Sequence, residues 1–276
     1  MTRKWVVKVG LHKEAHDCIS SPGQGGIRSR ALAALSNHGQ EVVQVDGGGD
    51  PARRAWDWQR LPSRSVTTLP LARRDRLALC DLFDELGPDA RTLNEGWTTA
   101  DLAAHLVARD CRPDSVPGLV VPALAGWSEH VRQGVLRRPY IDVVENLRTG
   151  PPKWSPLRRP GPDRMGNTHE FFVHYEDVRR CRDGWEPRQL DAEADADIWR
   201  VVRWFGRRAF RRSPVGVVLR WGDQIFQARR GMPAVTITGP PGEILLYAFG
   251  RQGQARVGLT GDSAAVEALA TTTLSW

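Results

Sequence analysis

The 276-residue chain has almost no lysine. Four occur, at Lys4, Lys8, Lys13 and Lys153, against 35 arginines. The formal net charge of +7 is therefore carried by guanidinium groups, and the pI is 9.7. A basic surplus can signal a nucleic-acid or membrane partner. Here the cations are scattered, and no basic stripe is interleaved with aromatics, so a nucleic-acid partner is not expected. Arginine in place of lysine, with abundant Ala, Gly and Pro, reads as the imprint of a GC-rich genome. Cysteine is scarce too: Cys18, Cys80, Cys111 and Cys181, with no Cys-x-x-Cys pair. That excludes a disulfide framework and makes a reducing cytoplasm the expected compartment. Cys80 and Cys181 fall in helical patterns, where a free thiol packs as a small buried hydrophobe. No run of 18 apolar residues exists, which excludes a conventional transmembrane helix. No apolar segment of signal-peptide length follows the basic N-terminus, so secretion by that route is not expected. What remains is 41% hydrophobic and 26% charged, with a mean hydropathy of -0.42. That is enough apolar content for one large core or two modest ones.

The first 65 residues differ from the rest. They hold three of the four lysines and two glycine-rich breaks, Ser20–Gly26 and Gly47–Pro51. Only Trp5-Val6-Val7 and Glu41–Val45 read as short strands. The segment can be a small fold of its own, but a poorly packed or disordered extension fits better. A third reading is a gene-start artefact with translation beginning at Val66, which the intact mass of natively expressed protein would test. The extension is set at residues 1–68.

Regular structure begins near Leu71. Leu79, Leu82, Phe83 and Leu86 share one helix face, and Gly87-Pro88 ends that helix. Thr98 followed by Asp101 is a capping box that opens a second helix, running to about Arg109. Further helices are expected at about 122–137 and 141–148. Residues 149–166 are rich in Pro, Gly and Arg and read as an irregular crossover. A strong helix follows at 167–182, then another at 192–208. The period then changes to that of strands at 215–221, 224–228, 234–238 and 256–259, with helices at 241–249 and 263–271. The expected fold class is α+β: a helical bundle over 69–185, then a smaller α+β domain over 186–276.

The strong helix carries the chemistry. Glu170 and His174 are four apart and lie on one face, with Asp177 three residues further on. A carboxylate and an imidazole so placed can hold one Zn²⁺ or a similar divalent ion. The pair also arises by chance. In the second helix His105 sits amid Leu102, Ala103, Leu106 and Val107. It is either a core histidine satisfied by a hydrogen bond or an inward ligand, since helical bundles build metal sites from facing helices. His105, Glu170 and His174 together make a three-ligand set that leaves a position open, as in catalytic rather than structural zinc. Asp177 could hold the far nitrogen of a ligand imidazole, or pair with Arg180 on the surface. Asp101 is explained by its cap. His169 projects about 100° from Glu170 and reads as a neighbour rather than a ligand. His130 reads as a helix-surface histidine. Trp97, Trp127, Trp199 and Trp204 read as core or rim packing.

Trp97-Thr98-Thr99-x-Asp101-Leu102-x-x-His105, followed by Glu170-x-x-x-His174-x-x-Asp177-Val178-Arg179, resembles the DinB-like superfamily. The likeness is to the mycothiol-dependent maleylpyruvate isomerase family and its actinobacterial metal-binding relatives. It spans about residues 69–276 and includes Leu71–Arg76. The resemblance implies a DinB-like four-helix bundle whose metal triad falls on His105, Glu170 and His174. It also implies a divalent ion, usually zinc, and mycothiol or a similar low-molecular-weight thiol. The partners expected are that thiol and an electrophilic small molecule, with S-transfer or isomerisation as the reaction. No further catalytic residue is assigned. Related enzymes place an arginine of the C-terminal domain near the substrate carboxylate, and Arg251 is the candidate. Tyr175 stands where near relatives often carry a second histidine, a departure that should spare the triad. The rival reading is a non-catalytic metal- or ligand-binding protein on the same fold. Maleylpyruvate itself is not favoured, because these motifs do not define its pocket.

Overall fold

The computed structural model describes residues 69–112, 114 and 121–274. The expectations for residues 1–68 lie outside the described residues. Eight α-helices and a four-stranded mixed sheet are described, making an α+β protein. The helices of the first part are α1 (Leu71–Leu86), α2 (Thr99–Cys111), α3 (Ala125–Leu136), α4 (Tyr140–Thr149) and α5 (Pro160–Arg179). Then come α6 (Ala192–Ala209), β1 (Gly216–Trp221), β2 (Gln224–Arg229) and β3 (Ala234–Thr238). The chain continues through α7 (Pro241–Ala248), β4 (Gly258–Thr260) and α8 (Ser263–Ala270). Among the described residues no helix is long and apolar enough to cross a membrane.

Local chemistry explains most of the boundaries. The Thr98 side chain accepts from the Asp101 amide, and the Asp101 carboxylate accepts from the Thr98 amide, which closes the box that starts α2. Asp191 caps α6 by accepting from the Ala194 amide, and Asp262 caps α8 by accepting from the Ala264 and Ala265 amides. α1 ends at Gly87, whose φ of 74° suits a residue without a Cβ.

Both boundaries of α5 depart from expectation. The crossover is shorter than its composition suggests, because residues 160–166 form the first two turns of α5. Pro160 and Pro162 lie in the first turn, where a missing N–H costs nothing. Arg159, just before them, is extended as a residue preceding proline should be. Asp163 accepts from Asn167 one turn on, and Arg109 of α2 binds Asn167 and the Gly166 carbonyl. The bond within the helix and the two from α2 compensate for the glycines at 161 and 166. α5 also stops earlier than expected, so Cys181 lies beyond its end and is only half-buried. Arg180 ends the helix, and its guanidinium is drawn to Glu176 and Glu243. Cys80, by contrast, is fully buried.

Two apolar clusters form. One gathers Leu79, Phe83, Leu102, Leu106, Val131, Val144 and Leu147 with Phe171 and Val178 of α5. The other lies between the sheet and α6–α8, and takes Phe172 and Val173 from α5. α5 thus buries opposite faces in two cores, and the stripe between them carries residues 170, 174 and 177. The sheet order is β2-β1-β3-β4, with β1–β3 parallel and the two outer pairings antiparallel. Two tryptophans correct the packing expectation: Trp127 is 49% exposed and Trp204 is 67% exposed. Trp204 falls off the α6 stripe that buries Ile198, Val201 and Val202, while Trp127 stacks on the exposed His130.

Candidate metal centre

α2 and α5 place three side chains at one point. His105 sits on the second turn of α2, inside the helix that Thr98 and Asp101 nucleate. Glu170 and His174 are one turn apart on α5. Nε2 of His174 is 3.2 Å from Glu170 Oε2, and Nε2 of His105 is 3.8 Å from the same oxygen. Donor atoms of all three residues lie within 4.8 Å of one another. The His105 and His174 rings meet edge-on at 5.4 Å, and Trp97 covers His105 at 5.4 Å.

Asp177 stands behind the group rather than on the surface with Arg180. It is fully buried, and its Oδ2 is 2.9 Å from His174 Nδ1. Arg251 donates to both of its oxygens, from Nε at 2.7 Å and from Nη2 at 2.6 Å. Nη2 of Arg251 also donates to Asn94 Oδ1 at 2.5 Å, and Nη1 donates to the Phe249 carbonyl at 2.7 Å. The guanidinium fork that a substrate carboxylate would use is thus closed on Asp177 in this structure. A residue after α7 and a residue of the α1–α2 loop together fix the orientation of one α5 imidazole.

The electrostatics follow from this geometry. Burial works against the Asp177 carboxylate, but Arg251 and His174 hold its pKa below the usual value. An ionised Asp177 can only accept, so it places a proton on His174 Nδ1 and turns Nε2 toward Glu170. Burial also opposes charge on His174, yet Asp177 and Glu170 raise its pKa. His105 goes the other way, since burial outweighs the attraction of Glu170 and lowers it. Glu170 is held well below the usual carboxylate range, with Arg109 and the two imidazoles outweighing burial.

The remaining candidates fall outside the group. His169 is packed on Phe205 and Phe249, and burial pushes its pKa down to about 4. Its Nε2 is 3.7 Å from the other Glu170 oxygen, Oε1. Tyr175 lies under Arg188, away from the triad. Asp101 serves its cap and pairs with Arg132 at 2.7 Å. Arg109 is a residue that the sequence reading passed over. Its Nε is 3.1 Å from Glu170 Oε1. The available signal was its spacing, four residues after His105 on the same face of α2.

Two imidazole nitrogens and one carboxylate oxygen, converging and partly desolvated, fit a borderline divalent ion such as Zn²⁺. The hydrogen bond behind His174 is the support that such a ligand requires.

No family model and no curated protein sequence matches the chain. Two solved structures are similar to it, the mycothiol-dependent maleylpyruvate isomerase and a point variant of that enzyme. Their TM-scores are 0.44 and 0.46, each at 16% identity, and each match covers 72% of this chain and 95% of the other.

Proposed function

We propose that the chain is a divalent-metal protein of the DinB-like type that uses a low-molecular-weight thiol, such as mycothiol, against an electrophilic small molecule. The observation that carries this reading is the convergence of His105, Glu170 and His174, with Asp177 hydrogen-bonded behind His174. The motif spacing in α2 and α5, on four-helix-bundle lines, supports it. These three side chains would hold the ion, and three ligands leave a position open to an incoming group. A bound ion would supply Lewis acidity, converting a thiol of pKa near 8.5 to the nucleophilic thiolate. The chain's own residues do the rest. Asp177 keeps the proton on His174 Nδ1 and so keeps Nε2 available. Arg251 holds Asp177 ionised. Trp97 and the flanking apolar residues of α2 limit water at His105.

The test begins with metal content. Untagged, full-length protein is purified and analysed by inductively coupled plasma mass spectrometry, beside His105→Ala, Glu170→Ala and His174→Ala. About one equivalent is expected in the wild type and little in each variant, given the three-ligand stoichiometry. Thiol consumption is then followed with a panel of electrophiles, and it should vanish in the same variants. Full metal stoichiometry in all three variants would overturn the site. Metal without thiol consumption would leave a metal-binding protein on the same fold.

A further inference from the structure

The two oxygens of Glu170 have different neighbours. Oε2 faces the Nε2 atoms of His105 and His174. Oε1 faces Arg109, with Nε at 3.1 Å, and His169 Nε2 lies further off at 3.7 Å. Arg109 is itself held on three other sides. Nη1 binds Asn167 Oδ1 and lies 3.3 Å from Asp110 Oδ1, and Nη2 binds the Gly166 carbonyl. Behind it the ring closes. Asp110 accepts from Arg76 Nη2 at 2.7 Å. Asp163 lies 3.5 Å from that same nitrogen and accepts from Asn167 Nδ2 at 2.8 Å. Residues of α1, α2 and α5 therefore fix the guanidinium in place before any ligand arrives.

A cation beside a ligand carboxylate opposes a divalent ion by charge. A site built only for tight metal binding would carry a neutral group there. What the arginine contributes is direction, since its rigid fork can engage several acceptors at once and lock a carboxylate's orientation. We propose that Arg109 is a positioning residue that holds Glu170 Oε1 out of the centre. Glu170 then offers a single oxygen, Oε2, beside the two imidazoles. The consequence is selectivity. A carboxylate restricted to one oxygen suits ions content with few ligands, such as Zn²⁺ and Co²⁺. Harder ions that prefer carboxylate-rich, high-coordination oxygen sites, such as Mn²⁺ and Ca²⁺, are disfavoured. The same restriction keeps room for an exogenous thiol. This inference rests on the metal reading above.

Cobalt(II) is the probe, because its visible absorption weakens severalfold as coordination number rises. Full-length wild type, Arg109→Gln, Arg109→Lys and His174→Ala are loaded with Co²⁺, and competition between Zn²⁺ and Mn²⁺ is measured in parallel. Wild type should take one equivalent with an intense visible band. Arg109→Gln should still take one equivalent, but with a band several times weaker. Its preference for Zn²⁺ over Mn²⁺ should fall by about tenfold or more, the scale of lost support around a metal ligand. Arg109→Lys keeps the charge and loses the fork, so it should follow Arg109→Gln and separate orientation from charge. If Arg109→Gln does not fold by circular dichroism, Asn167→Ala loosens the same guanidinium and decides the question. An unchanged band and unchanged preference in the folded Arg109 variants would overturn the positioning role while leaving the metal site intact. Wild type that binds no more Co²⁺ than His174→Ala would overturn the metal reading, and this inference with it.

Discussion

Glu170 shows how much one side chain's neighbours decide. Its place beside His174 follows from four-residue spacing, and its pairing with His105 was accessible as a second motif. Its other oxygen is engaged by Arg109, which helix spacing relates to His105 but cannot aim. Arg251 was expected at a substrate carboxylate. The structure places it on Asp177 and Asn94, contacts made by residues 74 and 157 positions away. The ring beneath Glu170 also reaches Gly150. This residue ends α4 at φ 80°, and a Cβ built there would stand 2.7 Å from Arg76 Nη1. Gly150→Ala should therefore lose about 1–3 kcal/mol in urea denaturation, from left-handed strain plus the displaced guanidinium. Gly96 is the control, with φ 77° and nothing within 4 Å of a built Cβ. Gly96→Ala should lose only the smaller strain contribution of about 1 kcal/mol. Equal losses would show that Arg76 yields freely.

At the scale of elements, caps were the legible feature. Thr98 and Asp101 announce α2, and the structure contains both reciprocal bonds. Burial works against the Asp101 carboxylate, yet Arg132 and Thr98 hold its pKa below the usual value. A depressed folded pKa means stability that is present above the unfolded pKa and lost as pH falls through the folded one. Asp101→Ala should then cost about 1 kcal/mol at pH 7. The gap from wild type should close as pH drops below about 3.9, the ordinary aspartate value. Chemical denaturation of both proteins across that range measures it, and a gap independent of pH would assign the loss to packing. The start of α5 was less legible. Pro160-Gly161-Pro162 looks like a loop, and the bonds that Arg109 donates to Asn167 and the Gly166 carbonyl, beside the one Asp163 accepts from Asn167, show why it is helical.

At the scale of the whole molecule, α5 is shared between two cores, and buried charge ties it to α1 and α7. Arg180 binds Glu176, pairs with Glu243 through Nη1 at 2.9 Å and Nη2 at 2.5 Å, and reaches the Gln254 carbonyl at 2.7 Å. Arg188 holds Asp75 with two bonds, at 2.7 and 3.0 Å, and also pairs with Glu176. Removing one partner of such a network strands the other charge. Arg180→Ala should cost about 3–5 kcal/mol. The double variant Arg180→Met/Glu243→Leu should recover much of that loss, because both charges leave together. Thermal and denaturant unfolding of the single and double variants checks this. No recovery in the double variant would mean that packing around Trp185, which lies 4.5 Å from the Arg180 guanidinium, carries the cost.

The sequence alone determined what depends on near neighbours in the chain. Helix faces repeat every three or four residues, caps span three, and a hairpin turn spans two. Those periods placed α1, α2, α6, the first three strands and the Glu170–His174 pair. Tertiary structure decided what depends on distant partners. It brought His105 to α5, set Arg109 on one oxygen of Glu170, turned Arg251 onto Asp177, and extended α5 back to Pro160. The physical reason is that a guanidinium at the end of a long flexible stem takes its direction from whichever acceptors the fold brings within reach, and no local period encodes that choice.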